Sequence, residues 1–219
     1  MLQEPMNDMI VILPGLLGSV LQKHGKVVWG IAPSMIPRIV QRKRLNEDLI
    51  LSGDDPDVDD LGDGVKAVEL LNTFHFVPNL WKNQGYGTLQ RFITETFDVV
   101  PGSVETPNPQ ANLFTMPYDW RRDNRVAARW LKQFIDQQLP CWRDYSGKAD
   151  AKVILIGHSM GGLVARHYLE MLSGWEYCRA LFTLGTPHRG AIMALNYLSN
   201  GHRIARADVS EAARSFTST

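Results

Sequence analysis

The sequence predicts an α/β fold with a parallel-rich sheet and crossover helices. Apolar runs of strand length alternate with longer segments in which apolar residues repeat every three or four positions, a pattern typical of parallel strands joined by helices. The chain has 219 residues, 44% of them hydrophobic, so one domain can bury a sizeable core. Its formal net charge is zero, which argues against a nucleic-acid partner, because phosphate binding requires a basic face.

Five segments are expected to form strands, with helices between them. The strands are 9–13, 112–117, 152–156 and 180–184, with a weaker one near 65–70. One helix from about 86 to 97 carries its apolar residues on one face. A second helix begins at Asp123 or Asn124 as its cap and extends to about residue 139, and a third is expected between the last two strands.

A glycine-flanked serine directly follows one of these strands. The segment 157–161 reads Gly-His-Ser-Met-Gly, which places Ser159 at the tip of a strand-to-helix turn. This turn forces the serine into a strained backbone conformation, and side chains two positions before and after it would collide unless both residues are glycine. The pattern predicts a nucleophile elbow with Ser159 as the catalytic nucleophile. The alternative is a glycine-rich turn that carries an ordinary serine.

A serine nucleophile needs backbone donors that stabilise the oxyanion of its tetrahedral intermediate. In an elbow, one donor is the N–H of the residue after the serine, here Met160, and the other comes from a loop after an early strand. The segment 9–19 has the character of that strand and loop, because a proline and a glycine end its apolar run. We assign the second donor to the N–H of Leu16, with Leu17 as the alternative, although a purely structural turn would look similar.

Elbow enzymes carry their triad in the chain order serine, acid, histidine. After Ser159, His167 falls on the helix that runs away from the serine, and His188 precedes the later acids. Asp208 and the later Glu211 have no histidine after them, so we expect the catalytic acid and base to be absent from this chain. His158 is adjacent to the serine at the end of a strand, where neighbouring side chains diverge. It is therefore expected to pack beside the turn rather than to act as the base.

The segment from about 29 to 63 does not fit the sheet pattern and is predicted to be a lid-like insertion. Its first half sets apolar residues against arginine and lysine, which suits a helix on a lipid surface or over an apolar site; a plain surface helix is the equal alternative. Its second half is acidic, but a calcium loop requires glycine where Asp60 stands and glutamate where Lys66 stands. A solvated acidic loop is expected there, and neither a metal nor an organic cofactor is implied.

Targeting signals and cysteines say little about the compartment. The start of the chain lacks a basic n-region, and the apolar stretch 9–21 is interrupted by proline and glycine, so neither a signal peptide nor a membrane span is predicted. A cytoplasmic location is expected by default. The two cysteines, Cys141 and Cys178, could form a bridge, but thiols in a reducing compartment are favoured.

Three further passages extend the pattern beyond the serine turn. Residues 13–19 read Leu-Pro-Gly-Leu-Leu-Gly-Ser, 116–122 read Met-Pro-Tyr-Asp-Trp-Arg-Arg, and 184–190 read Leu-Gly-Thr-Pro-His-Arg-Gly. With these segments the chain resembles the lecithin:cholesterol acyltransferase family, whose Tyr-Asp-Trp-Arg signature is the most discriminating match. The resemblance covers nearly the whole chain, and 214–218 is similar to a stretch well before the family's catalytic acid and histidine.

The resemblance implies an α/β-hydrolase fold, with residues 1–219 as the N-terminal part of the core and the fold stopping before its last strands. It places Trp29 where the family's lid begins, as a lid or substrate contact. The chain lacks the cysteine pair that ties the lid of animal members, so lid geometry does not carry over. For Tyr118 and Asp119 the residues themselves leave two roles, orienting an active-site loop or anchoring the following helix, and we prefer the second.

The elbow and the resemblance together predict a serine lipase, esterase or O-acyltransferase that acts on fatty acyl esters through an acyl-enzyme on Ser159. The expected partners are a lipid or acyl-ester substrate and transient contact with a membrane surface, while the oligomeric state is open. The alternative is a non-catalytic remnant that binds lipid or a partner and lacks the acid and base of the triad.

Overall fold

The computed structural model describes residues 3–30, 49–51, 53–71, 85–106, 108–192, 203–204 and 207–208. Its strands in chain order are β1 (Glu4–Pro5), β2 (Met9–Leu13), β3 (Ser19–Lys23), β4 (Lys26–Trp29), β5 (Val65–Leu70), β6 (Phe97–Asp98), β7 (Pro101–Gly102), β8 (Leu113–Thr115), β9 (Val153–His158), β10 (Cys178–Leu184), β11 (Arg203–Ile204) and β12 (Ala207–Asp208). Its helices are α1 (Gly85–Thr96), α2 (Asn124–Ser146) and α3 (Met160–Met171), and a 3₁₀ turn spans Gly174–Glu176.

The central sheet joins five of the described strands in the order β10, β9, β2, β8 and β7, and every neighbouring pair is parallel. β2 lies in the middle, with Val11 opposite Leu155 on one side and Phe114 on the other. All residues of β2 are buried, as a strand covered on both faces of a parallel sheet requires. This architecture confirms the predicted α/β class with a parallel-rich sheet.

Different helices cover the two faces of this sheet. Val11 belongs to the core cluster that contains Leu131 of α2 and Val164 of α3. Its neighbour Ile12 belongs to a second cluster that contains Tyr86 of α1. Because successive residues of a strand point to opposite faces, α2 and α3 cover one face and α1 covers the other. The residues that follow β2 and β9 emerge at the same edge of the parallel sheet, and this edge carries the candidate site.

A second sheet of three antiparallel strands, in the order β4, β3 and β5, was not predicted from the sequence. Strands β3 and β4 form a hairpin whose turn residues, His24 and Gly25, have φ of 48° and 76°, the positive values of a tight two-residue turn. The predicted strand 65–70 is present, but it pairs with β3 and not with the parallel sheet. The segment predicted to be lid-like, about 29–63, begins at the last residue of β4 and ends before β5, and its residues 31–48 and 52 lie outside the described residues.

Helix α2 extends beyond its predicted end near residue 139 and continues through Pro140 to Ser146. Leu139 and Trp142 are buried on its core face, so packing outweighs the backbone hydrogen bond that a proline removes. At the other end Asp123 is the N-cap, because its side chain accepts a hydrogen bond from the N–H of Arg125. Of the two caps that the sequence allowed, Asp123 is therefore the one used.

Candidate functional site

Ser159 occupies the turn between the end of β9 and the start of α3. Its backbone has φ 50° and ψ −118°, a conformation that costs free energy for a residue with a side chain. The N–H of Ser159 donates a 2.8 Å hydrogen bond to the carbonyl oxygen of Leu184 at the end of β10. The neighbouring strand therefore helps to hold the strained turn in place.

Two glycines flank the serine because backbone atoms leave no room for side chains. A Cβ on Gly157 would lie 2.6 Å from the Cα of Gly162, and a Cβ on Gly161 would lie 2.5 Å from the carbonyl oxygen of Pro14. Real Cβ atoms essentially never approach other atoms so closely. A side chain at Gly157 would thus collide with α3, and a side chain at Gly161 would collide with the loop after β2, as the sequence pattern predicts.

The loop after β2 packs directly against the serine. A Cβ on Gly15 would lie 2.9 Å from the Cβ of Ser159, so a side chain at this position would push the loop away. A 2.9 Å hydrogen bond from the N–H of Gly18 to the carbonyl oxygen of Gly15 closes a turn, and Leu17 within this turn has φ 64°. The loop therefore brings its backbone, and not a side chain, to the serine.

One of the two predicted oxyanion donors directly follows Ser159, and the other directly follows Gly15. Met160 is the first residue of α3, and the first N–H groups of a helix have no acceptor within the helix. Leu16 is 51% exposed, and its N–H has no bonded acceptor among the described residues. Neither N–H group therefore has a bonded acceptor in that part of the chain, and their role as oxyanion donors stays a prediction.

Tyr86, which sequence reasoning missed, joins the loop to the serine turn. Its hydroxyl accepts a 2.8 Å hydrogen bond from the N–H of Gly15 and lies 2.8 Å from Nδ1 of His158. The rings of Tyr86 and His158 meet edge to face, with centroids 5.7 Å apart. Burial raises the pKa of Tyr86 to about 12 and lowers the pKa of His158. These contacts agree with the packing role predicted for His158, but no pattern in the sequence marked the tyrosine.

Tyr118 also holds the loop after β2. Its hydroxyl donates a 2.6 Å hydrogen bond to the carbonyl oxygen of Pro14, and its N–H donates a 3.1 Å bond to Oγ of Ser19. The residue is only 2% exposed, so the bond to Pro14 is shielded from water. Its hydroxyl therefore binds the loop that contacts Ser159, which was the first of the two predicted roles. Its ring also packs in one core cluster with Ala128 and Leu131 of α2, which agrees with the preferred role of anchoring the helix.

Trp29 lies at the end of β4 and contacts the same loop. Its indole N–H donates a 3.0 Å hydrogen bond to the carbonyl oxygen of Leu17. Its ring meets that of Trp120 edge to face, with centroids 5.4 Å apart, and Trp120 donates a 3.1 Å bond to the carbonyl oxygen of Ser19. These contacts make Trp29 a support of the loop, and a contact with substrate stays a prediction.

Arg122 anchors the acidic loop 53–63. Its guanidinium donates a 2.8 Å hydrogen bond to the carboxylate of Asp54, and both side chains are 6% exposed. It also donates bonds of 2.6–2.8 Å to three carbonyl oxygens of the loop, those of Asp55, Val58 and Asp59. The expectation of a freely solvated acidic loop is therefore wrong at Asp54, because an arginine binds the loop from inside the protein.

Arg121 fastens the segment 116–122 to the end of the same acidic loop. Its guanidinium donates to the carboxylates of Asp119 at 2.6 Å and Asp63 at 2.8 Å. Burial alone would raise the pKa of Asp63, but hydrogen bonds from the N–H of Val65 and from Arg121 outweigh it, so this pKa lies below its ordinary value. The two arginines thus connect the acidic loop to the segment 116–122, whose Tyr118 binds the loop after β2.

The remaining candidates from the sequence lie apart from these contacts. His167 is on α3, and His188 is exposed in the turn after β10. In the described part of the chain, no hydrogen bond joins the hydroxyl of Ser159 to a histidine. Cys141 and Cys178 are free thiols, and burial raises the pKa of Cys178.

Comparisons with known proteins add the following. The family model described as lecithin:cholesterol acyltransferase matches residues 46–215. A phosphatidylcholine-sterol acyltransferase from Gallus gallus is 28% identical over 88 residues, which cover 39% of this chain and 20% of that protein. The crystal structure of a Tle4–Tli4 complex contains a chain with a TM-score of 0.53 and 17% identity, covering 94% of this chain and 50% of that one. At that identity the likeness concerns the fold alone.

The chain spans one fifth of the length of the matched acyltransferase and half of the matched Tle4–Tli4 chain. The family match includes Ser159 and the segment 116–122, whereas the loop that contains Gly15 precedes it. None of the helices in the described ranges combines the length and the apolar character needed to cross a membrane.

Proposed function

This chain belongs to the lecithin:cholesterol acyltransferase family, and on that premise we propose that it hydrolyses or transfers a fatty acyl group carried by a lipid ester. Ser159 is the nucleophile, and the N–H groups of Leu16 and Met160 bind the oxyanion. The observation that carries the proposal is the backbone of Ser159, at φ 50° and ψ −118°, with the loop after β2 packed on its Cβ. Backbone strain that surrounding contacts maintain is typical of functional sites.

In the proposed reaction, Oγ of Ser159 attacks the carbonyl carbon of the ester while a general base takes the hydroxyl proton. The carbonyl oxygen becomes an oxyanion bound by two backbone N–H groups. The ester C–O bond then breaks, and the alcohol leaves with the proton that the base returns. Water or an acceptor alcohol attacks the resulting acyl-enzyme and regenerates the serine. Hydrolysis and transfer share the first half-reaction, so the proposal includes both.

The backbone origin of both donors fits this chemistry. Gly15 contacts Ser159, but its own N–H donates a hydrogen bond to the hydroxyl of Tyr86. The next N–H along the loop, that of Leu16, is therefore the one assigned to the oxyanion. Preorganised donors of this kind supply about 3 to 4 kcal/mol each to transition-state stabilisation in serine hydrolases. The proposal assigns the base and the acid of the triad to no described residue.

The side chain of Leu16 favours an apolar acyl group over a polar substrate. It is 51% exposed and follows the glycine that touches Ser159, so an acyl chain bound at the serine could cover it. Ligand sites are lined mostly by apolar side chains with a few placed polar groups. Transient contact with a membrane surface is part of the same proposal, since lipid esters reside there.

A serine-directed fluorophosphonate tests the proposal. It is applied to this chain, and to any longer natural version of it, together with Ser159→Ala. Ser173→Ala is the matched control, because Ser173 is an exposed serine at the other end of α3 that also has a positive φ of 58°. We expect labelling of the wild type and of Ser173→Ala and none of Ser159→Ala.

Two outcomes contradict the proposal. Labelling that persists in Ser159→Ala would remove this serine as the nucleophile. Silence in every version of the wild type would favour the alternative from the sequence, a non-catalytic protein that binds lipid or a partner.

A further inference from the structure

The hydroxyl of Tyr86 lies between two nitrogen atoms and has one proton. The N–H of Gly15 can only donate, so the phenol oxygen accepts that 2.8 Å hydrogen bond. The phenol proton is then directed to Nδ1 of His158, 2.8 Å away. A proton on Nδ1 would leave the phenol proton without an acceptor among the described residues, at a tyrosine that is only 7% exposed.

An imidazole that accepts a hydrogen bond at Nδ1 is neutral and carries its proton on Nε2. Burial favours the neutral forms of both side chains in this hydrogen bond. It raises the pKa of Tyr86 to about 12, so the phenol keeps its proton, and it lowers the pKa of His158, so the imidazole stays neutral near pH 7.

Neighbouring atoms pack closely around the hydroxyl of Tyr86 and the imidazole of His158. A Cβ on Gly18 would lie 2.9 Å from the phenol oxygen, and a Cβ on Gly15 would lie 3.0 Å from Nδ1 of His158. Tyr86 is part of α1 and packs in one apolar cluster with Ile12 of β2. The helix and the central strand therefore hold the hydroxyl in a fixed place relative to the loop.

We infer that Tyr86 is a positioning residue, whose hydroxyl holds the backbone of Gly15 and fixes His158 as the neutral tautomer with its proton on Nε2. It acts through the loop, since the next N–H, that of Leu16, is thereby kept beside Ser159. The inference rests on the function proposed above, because that function gives the N–H of Leu16 its role.

Nitrogen-15 NMR of this chain tests the tautomer. We expect Nδ1 of His158 to be an unprotonated acceptor in the wild type at neutral pH and to lose its hydrogen bond in Tyr86→Phe. The matched control is Tyr168→Phe, which removes a buried hydroxyl that has no bonded partner among the described residues and should leave His158 unchanged. A proton on Nδ1 in the wild type overturns the inference, and this measurement does not depend on ester chemistry.

Amide hydrogen exchange tests the hold on the loop. Loss of one buried hydrogen bond should speed exchange of the Gly15 N–H about tenfold in Tyr86→Phe. His158→Asn is a second variant that keeps the phenol and should retain slow exchange, which guards against the case in which Tyr86→Phe fails to fold. Equal exchange rates in Tyr86→Phe and Tyr168→Phe, or fast exchange of this N–H in both the wild type and His158→Asn, contradict the inference.

The rate of fluorophosphonate labelling separates this inference from the proposed function. Where the wild type labels, Tyr86→Phe should label about a hundredfold more slowly, the typical cost of a misplacement of about 1 Å. Equal rates overturn the positioning role and leave the proposed function intact. Absence of labelling in every wild-type version overturns the proposed function and the positioning role with it, while NMR still decides the tautomer.

Discussion

Gly15 and Ser159 approach so closely that a Cβ on the glycine would lie 2.9 Å from the Cβ of the serine. Gly15→Ala should therefore displace the loop and lower the free energy of unfolding by about 1–3 kcal/mol, the usual cost of overpacking. Fluorophosphonate labelling of Ser159 should fall with it. Gly25→Ala is the control, because that glycine has φ 76° and no atom near its Cβ position; it should destabilise the hairpin without changing the rate of labelling. Undiminished labelling of Gly15→Ala would contradict the contact.

Tyr118→Phe should lower the free energy of unfolding by about 1–3 kcal/mol, because it leaves the buried carbonyl oxygen of Pro14 without its donor. Urea denaturation measures the difference. Tyr168→Phe removes a buried hydroxyl that has no bonded partner among the described residues and should change stability little. If the two variants were equally stable, the bond to Pro14 would contribute nothing measurable.

Arg122→Met should destabilise the fold by about 3–5 kcal/mol, because it leaves the buried carboxylate of Asp54 without its counter-ion, with only the hydrogen bond from the N–H of Asp123. Hydrogen exchange should accelerate throughout the acidic loop 53–63, since three of its carbonyl oxygens lose the same donor. Arg125→Met is the matched control, because its guanidinium is half exposed in the pair with Asp123, and solvent-exposed ion pairs contribute little to stability. Similar losses in the two variants would refute the anchoring role of Arg122.

Stability should fall as the pH is lowered from about 7 to about 5, in part because of His158. Burial lowers the folded pKa of this histidine, so below about pH 6.5, its ordinary value, the unfolded chain binds a proton that the folded chain binds less readily. The stabilisation by neutral His158 is thus complete above that pH and is lost on acidification through the folded pKa. Tyr86, the titratable side chain in contact with it, stays protonated throughout because its pKa is raised to about 12.

Urea denaturation at several pH values measures this effect. His158→Asn should show a shallower decline between pH 7 and pH 5 than the wild type. His188→Asn serves as the matched control, because that histidine is exposed in the turn after β10. Identical slopes for the wild type and His158→Asn would exclude His158 as a source of the decline.

The features predicted from the sequence are those that neighbouring residues determine. The strand at 9–13, the strand, turn and helix around Ser159, and the cap at Asp123 each follow from the types and spacing of a few consecutive residues. The predicted end of α2 near residue 139 was wrong because it used local sequence alone. Burial of Leu139 and Trp142 in the core keeps the helix going through Pro140. The small antiparallel sheet was missed because its pairing joins β3 to a strand more than forty residues away along the chain.

The sequence by itself determined the α/β class, the position of the candidate nucleophile and the loop after β2 that contacts it, since these depend on local periodicity and on glycine at fixed places. Only the tertiary structure decided what holds the site together. The bonds of Tyr86 to Gly15, Tyr118 to Pro14 and Arg122 to Asp54 join residues 71, 104 and 68 positions apart. The geometry of such bonds depends on how the helices pack on the sheet, so it cannot be predicted from a short sequence pattern.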